Sequence, residues 1–276
     1  MAEDGTQTRN EIRRLLAAHN HSPTYSYGQN FLADPNIVRR IVALADLDET
    51  SKVVEIGAGT GAITAALSMC AGTVVAYEID ESLASILAET VGGLEGVELR
   101  FDDASRLDLG EALGQGPWTF VANLPYNVGT GIVLDALQHA PQIERFVVMM
   151  QKEVADRLVA HAGTKTYGLP SVVVGLYARS SFVFVVPPQV VEPRPRVDSA
   201  VILLDRIEAP ASASRAVEIA AEAFGRRRKM LRRSLSGVLS DPQRILTEAG
   251  IDPKARPEQL SPLDFVCIAD AEERER

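Results

Sequence analysis

Short apolar, β-branched runs recur along the chain at 53–56, 74–79, 97–101, 120–122, 146–150, 182–186 and 200–204, and most intervals between them are long enough for a helix. The segments 60–70, 81–90, 129–139 and 153–160 carry helical spacing, so strand follows helix follows strand. This alternation predicts a wound α/β fold: seven strands, mostly parallel, joined by right-handed crossovers and covered by helices on both faces. Pro187, Pro188, Pro193 and Pro195 lie between the last two runs and preclude a helix there, so the sheet is expected to finish in an antiparallel excursion, unlike a dinucleotide-binding dehydrogenase. Residues 1–27 read as a polar lead-in with a short amphipathic helix at 10–18 through Ile12, Leu15 and Leu16. After a main domain at 28–207, the Ala/Pro/Ser stretch 209–214 reads as a linker, and helices are expected at 215–224, 226–239 and 242–249. They would form a small helical domain over 208–276.

The 276 residues are 46% hydrophobic and 24% charged, too apolar for intrinsic disorder. Charge changes the picture more. The net charge is −9, yet Arg226, Arg227, Arg228, Lys229, Arg232 and Arg233 fill six of eight positions with no acid among them, which leaves −15 on the rest of the chain. On the expected helix, Phe224, Leu231, Leu235 and Val238 form the buried stripe, and the guanidinium groups face outward where they can track phosphates. The alternative is a solvated face neutralised by acids elsewhere. Two cysteines, Cys70 and Cys267, make no disulfide framework and suit a reducing cytoplasm. No secretory h-region begins the chain, and the uncharged stretch 112–134 contains Pro117, Pro125 and four glycines, so no membrane helix is expected. His19, His21, His139 and His161 have no metal-ligand spacing.

The first strong run ends in Glu55-Ile56-Gly57-Ala58-Gly59-Thr60-Gly61 and leads into a helix. Glycines there permit a sharp turn and bring backbone amides close to a ligand at the carboxyl edge of the sheet. Glu78 follows Gly57 by 21 positions, at the end of the next strand, where a carboxylate can accept both hydroxyls of a ribose. An acid just before the loop disfavours a phosphate ligand and suits a cationic one such as S-adenosylmethionine. Asp103, after the third run, is placed to accept an adenine amino group, or else caps the next turn. The fourth run ends in Asn123-Leu124-Pro125-Tyr126. An adenine amine is a poor nucleophile because its lone pair is delocalised into the ring. The Asn123 oxygen and the Leu124 carbonyl can accept its two N–H bonds and localise that pair. Pro125 fixes φ, and the Tyr126 ring can stack on an extruded base.

Together with these motifs, Gln29-Asn30-Phe31-Leu32, Gln151-Lys152-Glu153-Val154-Ala155, Tyr167-Gly168, Pro195-Arg196-Val197-Asp198-Ser199-Ala200-Val201 and the segment 226–235 resemble the ribosomal RNA adenine N6-dimethyltransferases. The likeness is to the bacterial small-subunit (16S) enzymes of the KsgA/RsmA family and covers about residues 28–265. It implies a class I, Rossmann-like methyltransferase that dimethylates two adjacent adenosines in a 3′-terminal hairpin of 16S rRNA with S-adenosylmethionine. By that resemblance Asn30 and Leu32 contact the cofactor's methionine side above Gly57 and Gly59, Glu78 takes the ribose, Asp103 the adenine amine, and Asn123 bridges cofactor and target base. The implied partner is the small (30S) subunit precursor, met in the cytoplasm by a monomer without membrane or metal. Three positions depart from the family pattern. Thr24-Tyr25-Ser26-Tyr27 replaces a basic residue, Val191 stands where a base-stacking Phe is common, and Gly225-Arg226 replaces Asn-Gln. Rival readings are a 23S rRNA methyltransferase of the macrolide-resistance type, a nicotinamide-dependent oxidoreductase, and an assembly factor with little turnover.

Overall fold

The computed structural model describes residues 6–24, 27–125 and 128–275. In chain order the elements begin with α1 (Arg9–Ala18), β1 (Phe31–Leu32), α2 (Pro35–Ala45), β2 (Lys52–Ile56), α3 (Ala62–Ser68), β3 (Thr73–Glu78), α4 (Ala84–Thr90), β4 (Val97–Phe101), α5 (Leu109–Ala112) and β5 (Trp118–Asn123). They continue with α6 (Gly129–His139), β6 (Ile143–Gln151), α7 (Lys152–Leu158), α8 (Leu169–Tyr177), β7 (Ala178–Val186), β8 (Val191–Glu192) and β9 (Ser199–Arg206). The last are α9 (Ala213–Gly225), α10 (Leu231–Ser234), α11 (Pro242–Glu248) and α12 (Pro262–Glu275). Two compact units result, Met1–Ala155 with Ser181–Asp205, and Asp156–Ser180 with Arg206–Arg276. The second unit thus takes in Asp156–Ser180, a stretch the sequence pattern places in the main domain.

In the first unit seven strands lie in the order β4-β3-β2-β5-β6-β9-β7. Strands β2 to β6 pair in parallel, and β9 pairs antiparallel with β6 from Arg145↔Asp205 to Gln151↔Ser199. The sheet is the expected mostly parallel α/β sheet with an antiparallel ending. Its central strands are covered on both sides, so they read as unbroken apolar runs, with Val53, Val54, Phe120, Val121, Phe146 and Val147 all inaccessible to solvent. The expected helix at 10–18 is α1, started by a Thr8/Glu11 capping box and buried through Ile12, Leu15 and Leu16. Far from being a lead-in, it packs with Phe31, Ala58 and Leu87 in one apolar cluster. Among the features absent from the sequence reading are α2, which Asp34 caps and Pro35 opens, and a two-stranded antiparallel ribbon in which Phe31 faces Glu192 and Leu32 faces Val191.

The second unit is built around α9, which buries Ala213, Ala216, Ile219, Ala220 and Ala223. The Phe224 ring lies 5.9 Å from Tyr167, edge-on, and 6.2 Å from Phe265 of α12, a helix the sequence reading omits. The helix expected at 226–239 does not form. Helix α9 stops at Gly225, residues 226–230 turn, and only Leu231–Ser234 coil again as α10. Four consecutive cations offer no apolar residue for a helical face to bury, and like charges three and four apart oppose the helix. The amides of Leu231 and Arg232 donate instead to the carbonyls of Ala255 and Pro253, at 2.9 and 3.1 Å.

Candidate active site

At the carboxyl edge of β2 the chain turns through Gly57, Gly59 and Gly61, each at positive φ (86°, 57° and 83°). A Cβ on Gly61 would meet Thr90 Oγ1 at 2.6 Å, and one on Gly59 would press the Phe31 ring at 3.1 Å. The turn is thus packed from outside. Its amides are not bare, contrary to the sequence expectation. The N–H groups of Gly57 and Ala58 donate to the Tyr77 carbonyl, that of Gly61 to the Ala58 carbonyl, and that of Gly59 to Glu78 Oε2 at 2.8 Å. A pyrophosphate placed here would find four of the turn's donors already spent, so the loop is no phosphate cradle.

A pocket opens beside this turn, with Glu55, Gly57, Glu78, Asp103, Asn30 and Asn123 among its lining residues. Glu55 is buried within β2. The Thr64 hydroxyl is near enough to favour its ionised form, yet neither carboxylate oxygen completes a hydrogen bond among the described residues. Desolvation, aided by the negative charge of Glu78, pushes its pKa up to about 8. Such a group wants a cation. Glu78, also buried, accepts the amides of Gly59 and Asp80 with its two oxygens; burial raises its pKa although those bonds oppose the shift. Each oxygen keeps a lone pair for a further donor. Asp103 caps its own turn, accepting the Ser105 hydroxyl at 2.6 Å and amide at 3.0 Å, which together hold its pKa low, and Arg106 lies 3.2 Å away. The capping alternative therefore describes its side chain here, although it also lines the pocket.

Asn123 ends β5, and its Nδ2 donates to the Asn30 carbonyl at 2.9 Å. This bond aligns the amide so that Oδ1 is its acceptor end. Asn30 in turn donates its own Nδ2 to the Gly28 carbonyl, and Leu32, two residues on, is buried in β1. The Leu124 amide donates to Met149 on β6, and Pro125 accepts from Gly129 at the start of α6, so the chain beyond Asn123 is anchored on both sides. Tyr126 lies outside the described residues.

A family model described as ribosomal RNA adenine dimethylase matches residues 20–272. The chain belongs to that family. The ribosomal RNA small subunit methyltransferase A of Kineococcus radiotolerans is 43% identical over 267 residues, 94% of this chain and 89% of that protein. The protein of the same name from Cutibacterium acnes is 40% identical over 287 residues, covering 98% of this chain and 96% of its own. Among solved structures, the 23S rRNA methyltransferase ErmE matches with a TM-score of 0.67 and 27% identity over 88% of this chain and 99% of that one. A dimethyladenosine transferase from Plasmodium falciparum shares the fold, with a TM-score of 0.74 at 22% identity over 86% and 95% of the two chains.

Val191, which departs from the usual adenine dimethylase pattern, and the basic run, which shares it, can now be placed. Val191 is no lid over a base: it is buried, paired with Leu32 and packed among Val38, Val186 and Met149. The basic run lies entirely on the surface of the second unit. Arg226 meets Glu222 at 3.3 Å and Arg227 lies 3.7 Å from Glu258, whereas Arg228, Lys229, Arg232 and Arg233 have no acid within 4 Å among the described residues. Among the described residues no cluster of His, Cys, Asp and Glu could hold a metal ion, and no helix is long and apolar enough to cross a membrane.

Proposed function

We propose that this member of the adenine dimethylase family methylates the N6 amino groups of two adjacent adenosines in a 3′-terminal hairpin of 16S rRNA, using S-adenosylmethionine, as a step in small-subunit biogenesis. The observation that carries this reading is the aligned amide of Asn123: with Nδ2 committed to the Asn30 carbonyl, Oδ1 is left as the acceptor end for the N–H donors of an adenine amine. The pocket suits the cofactor on its own evidence. Glu55 is an unpartnered buried acid, and a cationic ligand would satisfy it as no neighbour does. Glu78 retains acceptor capacity for a ribose diol, and Asp103 and Asn30 line the same pocket. Asp103 would have to share its carboxylate between Ser105 and an adenine amine.

When bound, S-adenosylmethionine supplies an electrophilic methyl group on a sulfonium. The chain's own part is positional. Asn123 Oδ1 and the Leu124 carbonyl would accept hydrogen bonds from the two amine N–H groups, favouring a pyramidal nitrogen whose lone pair is out of conjugation with the ring and held for in-line attack. Tyr126 would stack on the base. The amine proton released after transfer passes to solvent, and no strong base is needed. On the second unit the run 226–233 would bind phosphates without regard to sequence.

The small-subunit substrate is favoured over 23S RNA because the relatives at 40% identity and above carry the small-subunit name, while the structure with the 23S name stands at 27%. The spent amides of the glycine turn speak against a nicotinamide dinucleotide. Labelled methyl transfer to 30S particles and to 23S RNA tests the reading. Dimethyladenosine in the 30S RNA is expected, and incorporation into 23S RNA alone would overturn it.

A further inference from the structure

Helix α1 touches both halves of the site. Just ahead of it, the buried Gln7 side chain clasps the glycine turn: its Nε2 donates to the Thr60 carbonyl and its Oε1 accepts from the Thr60 hydroxyl, each at 2.7 Å. From its first turns, Arg9 Nη1 donates to Glu192 Oε2 at 2.5 Å, and Arg13 donates to both Glu192 oxygens at 3.2 Å. Arg9 Nη2 also donates to the carbonyls of Gln189 and Val191. Glu192 belongs to β8, which faces β1 through two residue pairs alone. So short a ladder, extended only by the Ala33 amide donating to the Val190 carbonyl, leans for its register on core packing of Leu32 and Val191 and on the grip upon Glu192. Asn30, whose carbonyl holds Asn123, immediately precedes β1.

We propose that Glu192, gripped by Arg9 and Arg13, is a positioning residue for Asn123. The grip fixes β8, β8 fixes β1, and β1 sets the Asn30 carbonyl that keeps the Asn123 amide from flipping. A flipped amide would present two N–H donors to an amine that is itself a donor, and the nucleophile would lose its acceptor. The side chain of Glu192 is 16% accessible, so its ion pairs are shielded more than those of a surface pair. Asn30 also lines the cofactor pocket, but its acids Glu55, Glu78 and Asp103 are carried by β2, β3 and the turn after β4, so releasing the grip should affect turnover more than cofactor affinity.

This inference rests on the reading of Asn123 as the acceptor for the target amine, and the test separates the two. Full-length Glu192→Ala and Arg9→Ala are assayed with 30S particles, and the Asn123 side-chain amide is followed by ¹⁵N NMR, its resonance assigned by its absence in Asn123→Ala. The expected result is a fall in kcat of about tenfold with KM for S-adenosylmethionine within about twofold, as for a small misplacement of a reacting group. The Asn123 amide resonance should shift or broaden. Should Glu192→Ala fail to fold, the isosteric Glu192→Gln takes its place. An unmoved resonance in a folded variant overturns the proposal. If wild type itself fails to methylate 30S particles, the functional reading falls, while the resonance still judges the grip.

Discussion

The tip of β5 and the run 226–233 are both expected to meet RNA, and they are built in opposite ways. At the tip and in the pocket beside it, functional atoms are held by other atoms: Asn123 by Asn30, Leu124 by Met149, and Glu78 at the end of β3 by two amides. In the run, six cations stand exposed on a turn and the short helix α10, four of them without an acid in reach among the described residues. The difference follows from the task. Localising one lone pair needs one atom in one place, and small misplacements are costly. Neutralising a polyphosphate needs charge density, and mobile side chains supply it with little loss. The largest expected effect therefore falls on the tip. Asn123→Ala should lower methyl transfer by about 10³-fold or more, because it removes an interaction realised mainly in the transition state. Cofactor affinity should stay within about tenfold. Single-turnover kinetics and calorimetry measure the pair, and undiminished turnover would break the contrast.

A smaller and differently shaped effect is expected from the run. Reversing Arg228, Lys229 and Arg232 to Glu should weaken binding to 30S particles by about 10²-fold at low salt and reduce the slope of log K against log salt by about 2, since roughly 0.7–0.9 counterions are released per phosphate contact. Reversing Arg226 and Arg227 should do less, even allowing for one fewer substitution, because Glu222 and Glu258 already offset them. Methyl transfer at saturating substrate should change little in either variant. Filter binding across a salt series decides this, and an unchanged slope would make the run a solvated face and nothing more.

How much of this was legible beforehand also differs between the two regions. Buried strands announce themselves as unbroken apolar runs, which made the central β2, β3, β5 and β6 readable, while β4 and the largely exposed β7 were found from their β-branched and aromatic content; Glu55 and Glu78 were legible near the ends of β2 and β3. What each amide of the glycine turn bonds to was not legible. It depends on the Tyr77 carbonyl and the Glu78 carboxylate, which only the β2·β3 register brings there. The two-residue strands β1 and β8 are too short to have a period, and Arg9 meets Glu192 across 183 positions of chain. In the run, composition pointed to a cationic surface but not to its backbone. A stripe of Phe224, Leu231 and Leu235 suggested one helix, whereas the four cations between Gly225 and Met230 break it.

The last effect, on stability rather than on turnover or binding, sharpens the contrast through pH. Glu55 carries a pKa near 8 when folded and unliganded, against 4.5 for an ordinary glutamate. Between those values the folded chain keeps a proton that the unfolded chain releases, so its contribution to stability is fully present at low pH, declines as pH rises through that window, and is flat above about 8. Glu55→Gln has nothing to titrate. Its unfolding free energy relative to wild type should therefore rise with pH, by at most about 1.4 kcal/mol per unit between about pH 5 and 8. Denaturant melts of both proteins without cofactor, at about one-unit steps, measure the difference. An Arg228→Gln control should show no such divergence, since that side chain lies exposed on the second unit, whereas the buried acid belongs to the first. Parallel curves for Glu55→Gln and wild type would mean that the buried acid finds a partner after all, and the case for a cation at this pocket would lose its main support.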